Sequence, residues 1–91
     1  MAIEVRIPTI LRTYTDGERA VESSGTSIAE LVETLESAHA GLKERLLDDG
    51  AVRRFVNIYV NDEDIRFTGG LDTALSDGDT VVILPAVAGG A

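Results

Sequence analysis

Along residues 3 to 7 apolar and polar positions alternate, with Ile3, Val5 and Ile7 on one face and Glu4 and Arg6 on the other. A two-residue period is that of a strand with one face in a core and the other in water. Pro8 suits the end of that strand. Asp16-Gly17 is a hairpin-type turn signal, and residues 18 to 23 read as a returning strand. Only Ala20 and Val21 are apolar there, which places it at an edge. At residue 27 the period changes. Ser27 and Glu30 have the spacing of a capping box, in which two side chains satisfy free amides at a helix start. Ile28, Leu31, Val32 and Leu35 then follow the i, i+3, i+4, i+7 pattern of one buried helical stripe, with Glu30, Glu33 and Glu36 on the wet side. Gly41 is placed to end this helix, and Leu42, Leu46 and Leu47 predict a further short helical turn before Gly50.

From Arg54 the chain reads as strand again. In RFVNIYV, Val56, Ile58 and Val60 face one way and Phe55, Asn57 and Tyr59 the other. Asn61 to Asp64 form a tight polar turn into a strand at Ile65-Arg66-Phe67. Gly69-Gly70 opens a loop, Leu71 to Leu75 suit one helical turn, and Asp77-Gly78 marks another turn. Thr80 to Leu84 is apolar on both faces, as in a strand at the centre of a sheet. The order is strand, strand, helix, strand, strand, short helix, strand. A first and a last strand that both read as buried would pair centrally and in parallel, with the long helix as the crossover. The expected fold is α+β: a ubiquitin-like β-grasp, with a mixed sheet of four to five strands packed on one main helix. It would span residues 1–85 and leave 86–91 as a flexible tail.

The 91-residue length supports one domain, and with 44% apolar residues a core is attainable. The absence of cysteine excludes disulfides, thiolate metal sites and any side-chain thiol chemistry. A net charge of -8 repels a polyphosphate backbone, so nucleic acid is not an expected partner. The acidity serves solubility or steers the chain toward a basic surface, and charge alone does not choose between them. The opening MAIEVRIPTIL lacks the basic flank and long apolar run of a secretory signal, and no stretch has membrane-spanning length. A cytoplasmic protein without membrane attachment is the expectation.

The last residues are Pro85-Ala86-Val87-Ala88-Gly89-Gly90-Ala91. Small residues are common at a frayed terminus. A diglycine, however, also adopts backbone conformations closed to other residues and passes a narrow channel. GDTVVILP followed by AVAGG resembles the end of sulfur carriers of the MoaD/ThiS family. The similarity extends through RFVNIYVNDEDIRFTGGLDTALSDGDTVVILPAVAGG, residues 54 to 90, and to the opening IPTILR. Over both stretches the chain is most like members serving cysteine biosynthesis.

The resemblance implies a role for the terminus. An E1-like enzyme, which uses the ATP, adenylates the terminal glycine carboxylate and converts it to a thiocarboxylate. Carried over, the reactive residue is Gly90, with Gly89, Ala88 and Val87 as the thread behind it. The carrier itself needs no cofactor and no catalytic or metal-ligating side chain, because its partners catalyse. Ala91 departs from the pattern: no thiocarboxylate forms on Gly90 until that peptide bond is cut. The implied partners are the activating enzyme, a sulfur acceptor such as a cysteine synthase, and a metallopeptidase that trims or releases the tail.

With Val56, Ile58 and Val60 toward the helix, Phe55 and Tyr59 fall on the open sheet face. Val82 with Leu84, or Val81 with Ile83, must join them there. Such an apolar patch on an acidic domain is a candidate partner interface, unless the 39 to 53 segment or a second copy covers it. His39 has no Ser or Cys partner in a recognisable motif and reads as a helix-end surface residue. Asp62-Glu63-Asp64 lacks the spacing of a calcium loop, and Gly69-Gly70 lacks the context of a phosphate cradle. Three other functions stay open: the small subunit of molybdopterin synthase, a protein modifier joined through Gly90 to lysines, and a β-grasp interaction module with an inert tail.

Overall fold

A computed structural model describes residues 2–85. Strands β1 (Ile3–Arg6), β2 (Ala20–Ser23), β5 (Val56–Val60), β6 (Glu63–Asp64) and β7 (Thr80–Pro85) form one sheet in the order β2-β1-β7-β5-β6. A second, two-stranded ribbon joins β3 (Leu47–Asp48) to β4 (Ala51–Val52). β1 and β7 are parallel, pairing Val5 with Val81 and Arg6 with Val82, and the other neighbours are antiparallel. This is the mixed β-grasp sheet expected from the sequence, with the both-faces-apolar β7 at its centre.

Helix α1 (Ile28–Ala38) crosses one face and α2 (Leu42–Leu46) follows it. Ile28, Leu31, Val32 and Leu35 of α1 meet Ile3, Val5, Ile58, Val81 and Ile83 of the sheet in one core, with Leu42 and Leu46 of α2 sealing its end. Burial of each such side chain is worth roughly 1.5–3 kcal/mol, which is how a chain without staples is held. The α1 start departs slightly from a simple box. Ser27 Oγ accepts from Glu30 N at 3.2 Å, but the Glu30 carboxylate takes Thr26 N at 2.8 Å rather than the amide of Ser27.

Three local expectations are corrected. Strand β1 does not turn directly into β2: Thr9–Thr15 forms a 3₁₀ helix, closed by Asp16 and Gly17 at φ 54° and 83°. Pro8 starts that helix, and buried Leu11 and Thr15 anchor it. Thr15 Oγ1 donates within the turn, reaching Glu18 O at 2.9 Å. Second, the partner of β5 is the polar pair Glu63–Asp64, whereas Ile65–Phe67 is a 3₁₀ turn. Asn61 and Asp62 both take positive φ (48° and 72°), giving the tight two-residue turn whose twist suits antiparallel strands. The Asp64 carboxylate then caps the next turn at Arg66 N (2.9 Å), which ends the ladder after two residues. Third, Gly41 does not cap α1; His39 does, and Gly41 begins α2 at φ 96°. The Glu36 carboxylate accepts from Gly41 N and Lys43 N (2.9 Å from the latter) and so binds the two helices together.

Candidate functional site

The carrier chemistry expected at Gly90, the thread Gly89, Ala88 and Val87, and the processing residue Ala91 lie outside the described residues. What is described is how the fold delivers that segment. β7 is paired with β1 through Thr80, Val81 and Val82 and with β5 from Val81 to Pro85, so that its last three residues are held on the β5 side alone. Val81 and Ile83 are buried against the helix side. Asp79, just before the strand, receives Ser76 N at 2.8 Å and Asn61 Nδ2 at 2.9 Å; these hydrogen bonds hold its carboxyl below the ordinary value of 3.8. The strand leading to the terminus is therefore anchored on both sides at its start and on one side as far as Pro85.

The open face carries the apolar positions anticipated. Because Val81 and Ile83 point inward, Val82 and Leu84 point outward, and the register sets Val82 beside Tyr59 and Leu84 beside Asn57. Leu84 is 44% exposed, while Tyr59 and Val82 are half-buried. Phe55 differs: it stands in the turn before β5, 61% exposed, rather than in the strand. The segment from α2 to β4 does not cover this patch. Leu42, Leu46, Leu47 and Val52 all pack into the core on the helix side.

Two depressions flank the end of β7. On the helix side a space of about 410 Å³ is lined mainly by apolar groups, including Val52, Val56, Ile58, Ile65 and Leu71. Arg66 spans its rim, donating to Val56 O at 3.2 Å. On the open side a groove of about 570 Å³ runs over Val82 and Leu84 and is edged by Arg6, Arg12 and Arg19. Sequence patterning does not single out these arginines. They are six and seven residues apart; the β1–β2 pairing sets Arg6 near Arg19, and the 3₁₀ turn folds Arg12 back beside them. Among the described residues, no group of three or more His, Cys, Asp or Glu side chains is placed to hold a metal ion. Among them, too, no helix is long and apolar enough to cross a membrane.

These features (a parallel β1–β7 pair, a crossover helix, a fixed central strand and a bare outer face) agree with comparison to known proteins. The chain belongs to the ThiS family, whose profile matches residues 5–90. It is a ubiquitin-like sulfur carrier of the β-grasp fold. It is 55% identical to the sulfur carrier protein CysO of Mycobacterium tuberculosis over 93 aligned positions, covering 99% of this chain and 100% of that protein. A chain in the crystal structure of the Amycolatopsis orientalis BexX/CysO complex superposes with a TM-score of 0.93 at 56% identity, over 97% of this chain and 99% of that one. Small archaeal modifier protein 3 of Haloferax volcanii is 39% identical over 64 residues, 70% of each chain.

Proposed function

We propose that this carrier works through the main-chain carboxylate of Gly90, freed by removal of Ala91, and supplies sulfur for cysteine or another sulfur-containing metabolite. The observation that carries this reading is where the family match stops: it runs to Gly90 and leaves Ala91 beyond it. The chain has no cysteine, so a sulfur atom carried covalently needs an acyl group rather than a side-chain thiol. An E1-like partner supplies ATP. The Gly90 carboxylate attacks its α-phosphorus and expels pyrophosphate, and a sulfide-equivalent nucleophile then displaces AMP to leave the thiocarboxylate. The carrier is not itself the enzyme in this scheme; the activating enzyme, an acceptor such as a cysteine synthase and a tail-trimming metallopeptidase do the chemistry. A cytoplasmic setting, where ATP is present, goes with it.

The test uses two forms of the chain, one ending at Gly90 and one retaining Ala91, with the host's E1-like enzyme. ATP–pyrophosphate exchange is expected with the first form and not with the second. Exchange with neither form, at any enzyme concentration, would refute activation at Gly90. The likeness to an archaeal modifier protein favours one second reading, attachment of Gly90 to lysines of other proteins. Isopeptide-linked conjugates that vanish on deleting Gly89 and Gly90 would reveal it.

A further inference from the structure

We infer that the groove edged by Arg6, Arg12 and Arg19 receives an acidic segment of the protein that activates the terminus. This rests on the carrier reading above. Acids outnumber bases sixteen to eight in the chain, yet three of its eight basic residues line this one groove, with Glu4 as the only acid among the lining residues. Arg6 pairs with Glu4 at 3.0 Å. Arg12 and Arg19 have no carboxylate within ion-pair distance among the described residues, although the chain has a surplus of acids. Arg12 is held in place: its Nε donates to Ile7 O at 3.1 Å, and its terminal nitrogens have no acceptor among the described residues. A fixed guanidinium with open donors suits an outside carboxylate, which it can bind through two parallel hydrogen bonds.

The shape points to a polypeptide rather than a single small anion. The three arginines come from β1, the 3₁₀ turn and the approach to β2, and Val82 and Leu84 of β7 line the same groove on the other side of β1 from Arg19. An occupant that satisfies the arginines must present several carboxylates with apolar groups among them. A nucleic acid carries its charge far past the groove, where a surface of net charge -8 repels it. An acidic protein segment meets that repulsion everywhere except at the groove, so the same charge that opposes wrong approaches orients the right one. The groove flanks the last strand, so this docking would also aim the residues after Pro85.

The test is a binding titration of the chain ending at Gly90 against the host's activating enzyme, at low and at high salt. Arg19 is exposed and its side chain makes no hydrogen bond or ion pair among the described residues, so Arg19→Glu is expected to leave the fold intact; a circular dichroism melt checks this. Arg19→Glu is expected to weaken binding about tenfold at low salt, with Arg19→Gln falling between it and the wild type. The difference is expected to shrink near 1 M salt, where the screening length is about 3 Å. Arg54→Glu, the same charge change at an exposed position outside the groove, is expected to change binding less than about twofold. Equal effects of Arg19→Glu and Arg54→Glu would overturn the groove, as would an activating enzyme that does not bind the wild type. Binding of a single-stranded oligonucleotide that Arg19→Glu abolishes would overturn the acidic-protein assignment. The two readings separate in the exchange assay. A misplaced groove leaves ATP–pyrophosphate exchange intact with an unchanged KM for Arg19→Glu, whereas failure of the carrier reading removes exchange from the wild type itself.

Discussion

The two faces of the sheet are made by the same strands and serve opposite ends. On the helix side, Ile3, Val5, Ile58, Val81 and Ile83 are each 2% exposed or less. On the open side their immediate neighbours Glu4, Arg6, Tyr59, Val82 and Leu84 remain partly or fully in reach of solvent. Because strand side chains alternate, β7 is a core strand through Val81 and Ile83 and also presents Val82 and Leu84 on the open face. Alternation thus lets the strand that leads to the terminus fill the core and leave apolar side chains on the other face.

The largest expected effect sharpens that contrast directly. Ile83→Ala should lower stability by about 3 kcal/mol in urea unfolding, from lost burial and the cavity left behind. Leu84→Ala, one residue on, should cost less than about 1 kcal/mol in the same measurement. If the two variants lost equal stability, the division of labour along β7 would be wrong.

Next comes the reverse experiment. Tyr59→Ala or Leu84→Ala is expected to weaken association with the activating enzyme about tenfold, read by calorimetric titration, because a central apolar contact commonly carries more than 1 kcal/mol. Unchanged association would mean that partners use some other surface.

A third variant probes the covered side through the backbone. Gly25 has φ 155°, and a Cβ there would stand 2.7 Å from Leu31 N in the first turns of α1. Gly25→Ala should destabilise by more than about 1 kcal/mol. Gly50, also at positive φ (77°), has nothing within 4 Å of such a Cβ, so Gly50→Ala carries only the backbone cost. Similar losses in the two variants would show that crowding against α1 adds nothing.

The smallest effect concerns pH. The amides of Gly41 and Lys43 hold the Glu36 carboxyl below its ordinary value of 4.5. A carboxyl whose pKa is lowered by folding contributes stability above its unfolded pKa and loses it as pH falls through the folded one. Wild type should therefore exceed Glu36→Gln slightly near neutral pH, and the gap should close as pH drops below 4.5. A gap that widened in acid would contradict the capping role of this carboxylate.

The parts legible in the sequence are those where one physical signal dominates. The alternation Ile3-Glu4-Val5-Arg6-Ile7, the stripe Ile28-Leu31-Val32-Leu35 and the doubly apolar run Thr80 to Leu84 each have one reading, and together they imply a parallel centre with a helical crossover. The sequence misleads where local polar geometry overrides apolar content. Ile65 is buried like a strand residue, but the Asp64 cap turns the chain into a 3₁₀ helix there. Thr9–Thr15 shows neither period, and its helix is held by Leu11 and Thr15 tucking inward. The β3–β4 ribbon is too short to leave a pattern. Alternation places Tyr59 on the open face but leaves the choice between Val82 with Leu84 and Val81 with Ile83 to the register of β7. The arginine groove does not follow from alternation, since Arg12 joins Arg6 and Arg19 only through that unpatterned turn.

The central claim, that sulfur is carried on Gly90, is tested most directly by intact-protein mass spectrometry of the chain purified from its own host. The account predicts loss of one alanine residue and a further shift equal to replacing one oxygen by sulfur, both abolished when Gly89 and Gly90 are deleted. A chain that keeps Ala91 in every pool and never gains sulfur, even with the activating enzyme, ATP and sulfide supplied, would contradict it.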